Sequence, residues 1–305
     1  MHFFKKLLLL IDLLCIPLFV NATQASFLCK CHNVKQGQTI RTQIKSNEIL
    51  KSAHVTFLSK QYPLVPTPIN KKIHECYIPI ECEGKTGTFP LIATIQNKKN
   101  KAQSLKSNVV IQKRKFPKQK GFKVSSSYLS KKVKKESLVS SKIPSIWGKA
   151  YRSSPLLDKL LSESPRKRLW NGRFTLPTKV LRYSTPFGEI RNSSIGWGRY
   201  LHKGVDIVSN RRTPVKASQQ GKVVIKDRFK ASGNSVVIDH GLGVFTYYLH
   251  LEEFGNIKVG SHVKKQQLIG TVGNTGYSSG YHLHWGLSVN NELVDPLEWI
   301  TSKFA

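Results

Sequence analysis

Two histidine-containing segments, about eighty residues apart, constrain the fold of this chain most, because their side chains fit one metal ion. The first is His202-Lys-Gly-Val-Asp206 and the second is His282-Leu-His284. Imidazole and carboxylate groups are the ligands that Zn²⁺ takes in open catalytic sites, where a fourth position is left for water. Zinc makes hydroxide available near neutral pH by lowering the pKa of that water. A fold that uses both segments in this way must bring them side by side.

The spacing within each segment predicts its backbone. Side chains two residues apart on a strand share one face, so His282 and His284 are expected to face the same way. A fully extended chain would separate His202 and Asp206 by roughly 13 Å, at about 3.3 Å per residue. The two residues can share one ion only if the backbone folds back between them, and Gly204 supplies the conformational freedom for that bend.

A third histidine, His250, lies in an apolar, aromatic and β-branched run over residues 244–251 that predicts a buried strand. The order H-x-x-x-D, Y-x-H-L and H-L-H, with glycine-rich turns between, resembles the lysostaphin/LytM-type zinc metallo-endopeptidases, which cut peptidoglycan peptides. The resemblance covers about 120 residues and includes Thr185-Pro-Phe-Gly188, Thr213-Pro-Val-Lys-Ala217, Gly273-Asn-Thr-Gly276 and Val294-Asp-Pro296.

Carried over residue by residue, the resemblance implies that His202, Asp206 and His284 bind one zinc ion per chain. It implies that His250 and His282 are the catalytic pair, which orients and deprotonates the water and stabilises the developing oxyanion. The sequence itself agrees on one point. It contains no H-E-x-x-H, so the glutamate base of the helical zinc proteases is missing and a histidine must move the proton. The unperturbed imidazole pKa of about 6.5 suits that task.

Other residues near these segments are assigned differently. His240, in Asp-His-Gly-Leu-Gly, is predicted at a hairpin turn, and His262, beside Lys264 and Lys265, is predicted to be solvated, so both are left out of the site. Four aromatic side chains are candidates for the walls of a substrate groove and equally for the core: Tyr247, Tyr277, Tyr281 and Trp285.

The start of the chain predicts export. A basic beginning and an apolar run indicate a signal peptide over residues 1–22, with an uncleaved anchor as the alternative. The protein is then expected in the periplasm or cell envelope, or secreted. Four cysteines remain after cleavage, and disulfides are their favoured use in an exported protein, with a structural zinc site as the alternative. They are Cys29, Cys31, Cys76 and Cys82.

Composition along the chain divides the rest into three parts and predicts a mostly β fold. Short alternating strands over residues 27–112 predict a small, sandwich-like β domain that positions or regulates the enzyme. Residues 113–168 read as a basic linker with short helices. Residues 169–305 are expected to form the LytM-type peptidase domain, an antiparallel sheet with a zinc-floored groove. Glycine turns support this reading, since 15 of the 21 glycines fall in residues 183–305.

The net charge of +32 is concentrated around the linker. Residues 98–182 carry 24 basic and 3 acidic side chains. Such a segment favours an anionic cell-wall or membrane surface as a partner, and it equally fits a solvated connector. Export makes nucleic acid an unlikely partner.

The sequence therefore predicts an exported zinc endopeptidase that hydrolyses peptide bonds in peptidoglycan cross-links or stem peptides. The alternative is a non-catalytic LytM-like factor that binds and activates another cell-wall hydrolase. Such factors lack some of the five metal and catalytic residues, whereas all five are present here. A basic wall- or DNA-binding protein would explain the linker and leave the histidines unexplained.

Overall fold

A computed structural model describes residues 23–28, 33–119, 155–192, 199–301 and 304. The predicted signal peptide, Cys29, Cys31 and most of the basic linker, including Lys131 to Lys135, lie outside these residues. Regular structure in the described part of the chain is nearly all β, as predicted. The helices that the structure describes are too short or too polar to cross a lipid bilayer.

Two β-sheets share one apolar core in the N-terminal part. The first sheet has the strand order β1 (Ala25–Phe27), β3 (Thr39–Ser46), β7 (Ile73–Pro79), β6 (Val65–Pro66). The second has the order β2 (Asn33–Lys35), β9 (Ala102–Gln112), β8 (Gly87–Asn97), β4 (Leu50–Phe57), β5 (Lys60–Pro63). Alternate residues of each sheet point into the core, where Ile40 and Ile78 meet Val55 and Ala93. This is the two-layer arrangement that short alternating strands predict.

The C-terminal part is built on an antiparallel sheet. Its main path is β10 (Arg182–Thr185), β13 (Val205–Val208), β20 (His282–Val289), β17 (Val244–Phe254), β16 (Gly233–Asp239), β15 (Gly221–Phe229), β18 (His262–Val263). Three further strands join it: β14 (Pro214–Lys216), β19 (Leu268–Val272) and β21 (Glu292–Val294). A separate hairpin consists of β11 (Ile190–Asn192) and β12 (Arg199–Leu201).

Both faces of the central strands are covered. On one face, Val236, Ile238 and Tyr248 belong to the main core. On the other face, Val237 and Tyr247 pack in a second core with the helix α1 (Pro155–Glu163), through its buried Leu157 and Leu160. Helix α1 falls within the predicted linker, so this end of the linker packs on the C-terminal sheet. The domain boundaries themselves stay a prediction.

The two halves share a buried contact. Tyr77 on β7 lies 5.3 Å from Trp170 and 5.4 Å from Trp299, ring centre to ring centre. Beside it, Nε of Arg168 lies 3.4 Å from Oε1 of the fully buried Glu75. Because a buried charge is costly without a partner, this ion pair ties the N-terminal part to the segment that enters the C-terminal part.

A 3₁₀ helix over Pro296–Ile300 follows Asp295, whose side chain accepts a hydrogen bond from the Leu297 amide. Cys76 and Cys82 are buried free thiols and do not pair with each other. The other two cysteines lie outside the described residues.

Candidate metal centre

Three buried side chains place their donor atoms close enough to hold one metal ion: His202, Asp206 and His284. Nε2 of His202 lies 3.0 Å from Oδ1 of Asp206, and Nδ1 of His284 lies 2.9 Å from the same oxygen. The two nitrogens are 3.0 Å apart. Tetrahedral zinc with bonds near 2.0 Å sets its ligand atoms about 3.3 Å apart. The triangle is therefore close to one face of a zinc tetrahedron.

Strand pairing produces two corners of this triangle. Asp206 on β13 is the direct partner of His284 on β20, so the two side chains leave the sheet on one face at adjacent positions. His282, two residues earlier on β20, shares that face. Leu283 and Trp285 point the other way and are fully buried. The predicted alternation is confirmed.

The third corner depends on a close approach at Gly204. A Cβ atom there would lie 2.5 Å from Nε2 of His284 and 2.8 Å from the carbonyl oxygen of Trp285. Gly204 is not among the glycines with a positive φ. The backbone does fold back between His202 and Asp206, as predicted, but without a positive φ at this glycine. The structure adds a second reason for glycine here, because the His284 ring fills the space of a side chain.

The protonation pattern of His202 fits a cation at this place. Its Nδ1 lies 3.1 Å from the carbonyl oxygen of Pro186. A carbonyl can only accept, so Nδ1 carries the hydrogen and Nε2 presents a lone pair. That lone pair faces the Oδ1 acceptor of Asp206 at 3.0 Å. Two acceptors at this distance repel each other unless a proton or a cation lies between them, so the donor set fits zinc.

The Asp206 carboxyl is buried, and burial alone would raise its pKa. In the metal-free chain, where a proton lies between His202 and the carboxylate in place of a cation, the charges of His202 and His282 and the hydrogen bonds from His202 and His284 outweigh burial and hold the pKa well below its ordinary value. Asp206 is therefore a carboxylate at neutral pH, as a metal ligand must be.

Arg191 on β11 contacts the second oxygen of the same carboxylate. Its Nη2 lies 3.5 Å from Oδ2 of Asp206 and also donates to Oγ1 of Thr185, while Nε lies 3.0 Å from Oε1 of Glu189. The sequence-based prediction did not include Arg191. In the sequence, the one indication of Arg191 is its position shortly after Thr185-Pro-Phe-Gly188. That its side chain reaches Asp206 is visible only in the structure, where β11 pairs with β12.

Two further imidazoles lie beside the triangle. Nδ1 of His250 is 2.7 Å from the carbonyl oxygen of Thr275, and Nδ1 of His282 is 2.9 Å from that of Gly280. In each ring Nδ1 is therefore the donor and Nε2 is free to exchange a proton. The two ring centres are 4.9 Å apart, and Nε2 of His282 lies 3.7 Å from Oδ1 of Asp206.

A β-bulge directs His250 into this position. The pairing of β16 with β17 shifts between Asn234↔Leu251 and Val236↔Tyr248, and His250 has a φ of 63°. A bulge re-aims a side chain, and a left-handed residue other than glycine is uncommon. Burial lowers the pKa of His250 well below its ordinary value, and the charges of His282 and His284 lower it further. The ring is therefore neutral at pH 7.

The remaining candidates divide between core and surface. His240 is at the predicted turn but is fully buried, with Nδ1 2.7 Å from the Gln220 carbonyl oxygen and Nε2 2.8 Å from Oγ1 of Thr246. His262 is exposed, as predicted. Among the aromatic candidates, Tyr247 and Trp285 are core residues with no exposed surface, Tyr277 is partly buried, and Tyr281 is 43% exposed next to His282.

Residues 200–296, which contain all five site residues, match the sequence profile of Peptidase family M23. A stretch of 121 residues, 40% of this chain, is 38% identical to the DD-carboxypeptidase/endopeptidase Mpg of Neisseria meningitidis serogroup B and covers 27% of that protein. A stretch of 120 residues, 35% of this chain, is 38% identical to lysostaphin of Staphylococcus staphylolyticus and covers 25% of it. The chain thus spans about a quarter of the length of these curated relatives.

A solved structure of a peptidase M23 from Pseudomonas aeruginosa has the same fold. It covers 88% of this chain and 95% of its own, with a TM-score of 0.56 and 20% identity. At that identity the likeness concerns the fold alone, and its coverage includes the N-terminal β domain. From the profile match and the relatives, residues 200–296 of this chain form a peptidase M23 domain, of the LytM/lysostaphin family.

Proposed function

We propose that this protein is an exported zinc-dependent endopeptidase that hydrolyses peptide bonds in peptidoglycan cross-links or stem peptides. One observation carries the proposal. Three donor atoms within about 3 Å of one another lie beside two imidazoles that each keep Nε2 free. Family membership supports peptidase chemistry, and the similarity to relatives named as an endopeptidase and as lysostaphin supports a peptide of the cell wall as substrate.

In this proposal, Nε2 of His202, Oδ1 of Asp206 and Nδ1 of His284 hold the zinc ion. Bound zinc would supply a Lewis acid for the scissile carbonyl and a water of lowered pKa. Arg191 keeps Oδ2 of Asp206 engaged, which leaves Oδ1 as the oxygen turned toward the two histidines. The Pro186 carbonyl fixes the His202 tautomer, which keeps its Nε2 lone pair directed at the site.

His250 and His282 hold and move the protons. His250 is neutral at pH 7, so its Nε2 can accept a proton from the attacking water. Once protonated, the same atom can donate to the leaving amine. The hydrogen bond from Nδ1 to the Thr275 carbonyl keeps the ring aimed through both steps. His282 is anchored in the same way to Gly280, and when its Nε2 also carries a proton it can donate a hydrogen bond to the developing oxyanion.

Export and attachment belong to the proposal as well. The predicted signal peptide supports the cell envelope, periplasm or medium as the place of action. Lys113, Arg114 and Lys115 begin the basic linker, whose charge supports contact with an anionic wall or membrane surface.

Incubation of the purified protein with peptidoglycan sacculi, followed by mass spectrometry of the released peptides, tests this function. We expect new peptide ends that disappear with a zinc chelator, return with added zinc and are absent for Asp206→Ala. The masses of the products identify the bond that is cut. A zinc-loaded protein that binds sacculi and releases no peptide would overturn the enzymatic proposal in favour of the non-catalytic factor.

A further inference from the structure

The segment that leaves the N-terminal domain contacts the hairpin next to the metal centre. This exit segment, residues 113–119, follows β9 directly. The amide of Ile190 on β11 donates to the carbonyl oxygen of Pro117 at 2.8 Å, and the amide of Gln119 donates back to the carbonyl of Ile190 at 2.9 Å. Lys118 pairs with Ile190 as a parallel bridge. The exit segment thus pairs with the β11–β12 hairpin through a single parallel bridge held by two backbone hydrogen bonds.

The β11–β12 hairpin positions two residues of the metal centre that do not lie on the large sheet. His202 follows β12 directly, and Arg191 lies on β11. The backbone of His202 makes two hydrogen bonds to the loop before β11, one from the Gly188 amide at 2.7 Å and one to the Glu189 carbonyl at 2.9 Å. The same loop provides the Pro186 carbonyl that fixes the His202 tautomer. Movement of this loop would therefore move His202.

Phe116 of the exit segment packs directly on the loop. A Cβ atom on Gly188 would overlap Cδ1 of Phe116, so the ring lies against the bare backbone of this glycine, which has a φ of 80°. The ring also meets Phe187 edge to face, with centres 6.4 Å apart. Phe187 is 1% exposed, and Gly37 of the N-terminal domain is so close that a Cβ there would lie 2.6 Å from its ring.

An ion pair fixes the exit segment to the peptidase domain. Nη2 of Arg114 lies 2.8 Å from Oδ2 of Asp295, just before the 3₁₀ helix. The guanidinium carbon of Arg114 also lies 5.3 Å from the ring centre of Phe116 and 5.8 Å from that of Phe187. The charged group thus covers both rings, which restricts where they can move.

We propose that Phe116 is a positioning residue for the metal centre and that the N-terminal domain, through its exit segment, keeps His202 in the geometry that binds zinc. Phe116 lies outside residues 200–296, the part that matches the family profile. It acts through the Phe187–Gly188 backbone, whose amide is bonded to the carbonyl of His202. This inference rests on the proposed zinc site. It assigns the first domain a direct effect on metal affinity, in addition to any effect on targeting.

Zinc affinity of the full chain tests this directly. Phe116→Ala removes the ring, Phe116→Tyr keeps it, and Phe89→Ala is the matched control, because Phe89 packs edge to face on Phe57 inside the N-terminal domain. Dissociation constants come from competition with a chromophoric chelator, and the visible spectrum of the Co²⁺ form reports the ligand geometry. Loss of support outside the ligand shell typically weakens metal affinity by about 10- to 100-fold. We expect this loss and an altered Co²⁺ spectrum for Phe116→Ala, and wild-type values for Phe116→Tyr and Phe89→Ala.

The outcomes separate this inference from the proposed function. Failure of the wild-type chain to bind zinc overturns the proposed function. Wild-type zinc affinity and Co²⁺ spectrum in a folded Phe116→Ala protein overturn the inference and leave the function intact. Unfolding is checked by near-ultraviolet circular dichroism of the metal-free protein. If Phe116→Ala is unfolded, Phe116→Leu decides, because it keeps an apolar side chain but loses both ring contacts, and an unchanged zinc affinity there overturns the inference.

A double substitution tests the contact with Gly188. Gly188→Ala should itself weaken zinc binding, since its new methyl group meets the Phe116 ring. In the Phe116→Ala background that collision is gone, so the further loss from Gly188→Ala should be smaller than in the wild-type chain. Residues in contact are expected to be non-additive in this way. Strictly additive losses would count against transmission through this contact.

Discussion

Asp206 and His284 are direct partners on neighbouring antiparallel strands, with Oδ1 and Nδ1 2.9 Å apart. Two of the three proposed ligands are therefore fixed by the register of one sheet. The third, His202, follows β12 and is hydrogen-bonded to the loop before β11, on which the N-terminal exit segment packs. Because the ligands are positioned in two different ways, substitutions should fall into three groups. Some should remove the metal, some should lower turnover with the metal still bound, and some should weaken metal binding through packing.

Substitution of a proposed ligand should remove zinc and activity together. Asp206→Ala and His284→Ala each leave two donors, which is too few for an open zinc site that needs three protein ligands. We expect metal content to fall from one zinc per chain toward zero, with peptide release from sacculi falling in parallel. His262→Ala, at an exposed histidine of β18, is the control and should keep both. Stoichiometric zinc in Asp206→Ala would show that the ligand assignment is wrong.

Substitution of His250 or His282 should leave the metal in place. We expect near-full zinc content and turnover lower by about 10²- to 10⁴-fold, the usual effect of removing a positioned acid or base. His250→Asn suits this test better than alanine, because residue 250 has a φ of 63° and asparagine tolerates that conformation. His282→Ala serves for the second site.

Zinc content and initial rates on the two single variants and the double variant decide the point. The losses should combine less than additively, because groups that act as one unit are not independent. Zinc loss in the His250 variant would mean that this residue is a ligand.

A methyl group at Gly204 should displace the His284 ring and so weaken zinc binding. In Gly204→Ala the new Cβ would lie 2.5 Å from Nε2 of His284, so this ring must move and carry Nδ1 away from Asp206. We expect weaker zinc affinity, measured by chelator competition. Gly280→Ala is the matched control, since a Cβ there meets nothing within 4 Å and its φ is not positive. Equal affinities in the two variants would contradict the close approach.

His240 should make stability depend on pH. Burial lowers its pKa from 6.5 to about 4, so between these values the unfolded chain binds a proton that the folded chain does not. The free energy of unfolding should therefore fall as pH drops from 6.5 to about 4, by up to about 3 kcal/mol from this residue, and level off below.

Urea unfolding of the metal-free protein at several pH values measures this effect. His240→Gln removes the titrating group, and the other histidines contribute equally to both proteins, so the difference in slope isolates His240. The variant should lose stability less steeply below pH 6.5. Parallel slopes would show that His240 does not titrate with the lowered pKa.

The site residues could be found in the sequence because their signals are local. Alternation on a strand places His282 and His284 on one face whatever the rest of the chain does. The run around His250 is apolar enough to identify a buried strand. The resemblance then assigned roles to the five residues, because it depends only on the residue types and their order along the chain and needs no knowledge of contacts.

Contacts between distant segments could not be found in this way. The bulge that turns His250 inward depends on how β16 and β17 align, and the reach of Arg191 to Asp206 depends on where a hairpin meets the sheet. His240 has the local signature of a hairpin turn, which does not indicate that packing against Phe174 and hydrogen bonds to Gln220 and Thr246 bury it.

The sequence by itself determined which groups can bind a metal and which strands carry them, since residue type and period are properties of a few neighbouring positions. The tertiary structure decided which nitrogen of each ring faces the site, why residue 204 must lack a side chain, and how Phe116 reaches the loop that holds His202. These depend on carbonyls, rings and free space contributed by segments far apart in the chain. Such distances are set by tertiary packing, and the spacing of residues along the sequence does not predict them.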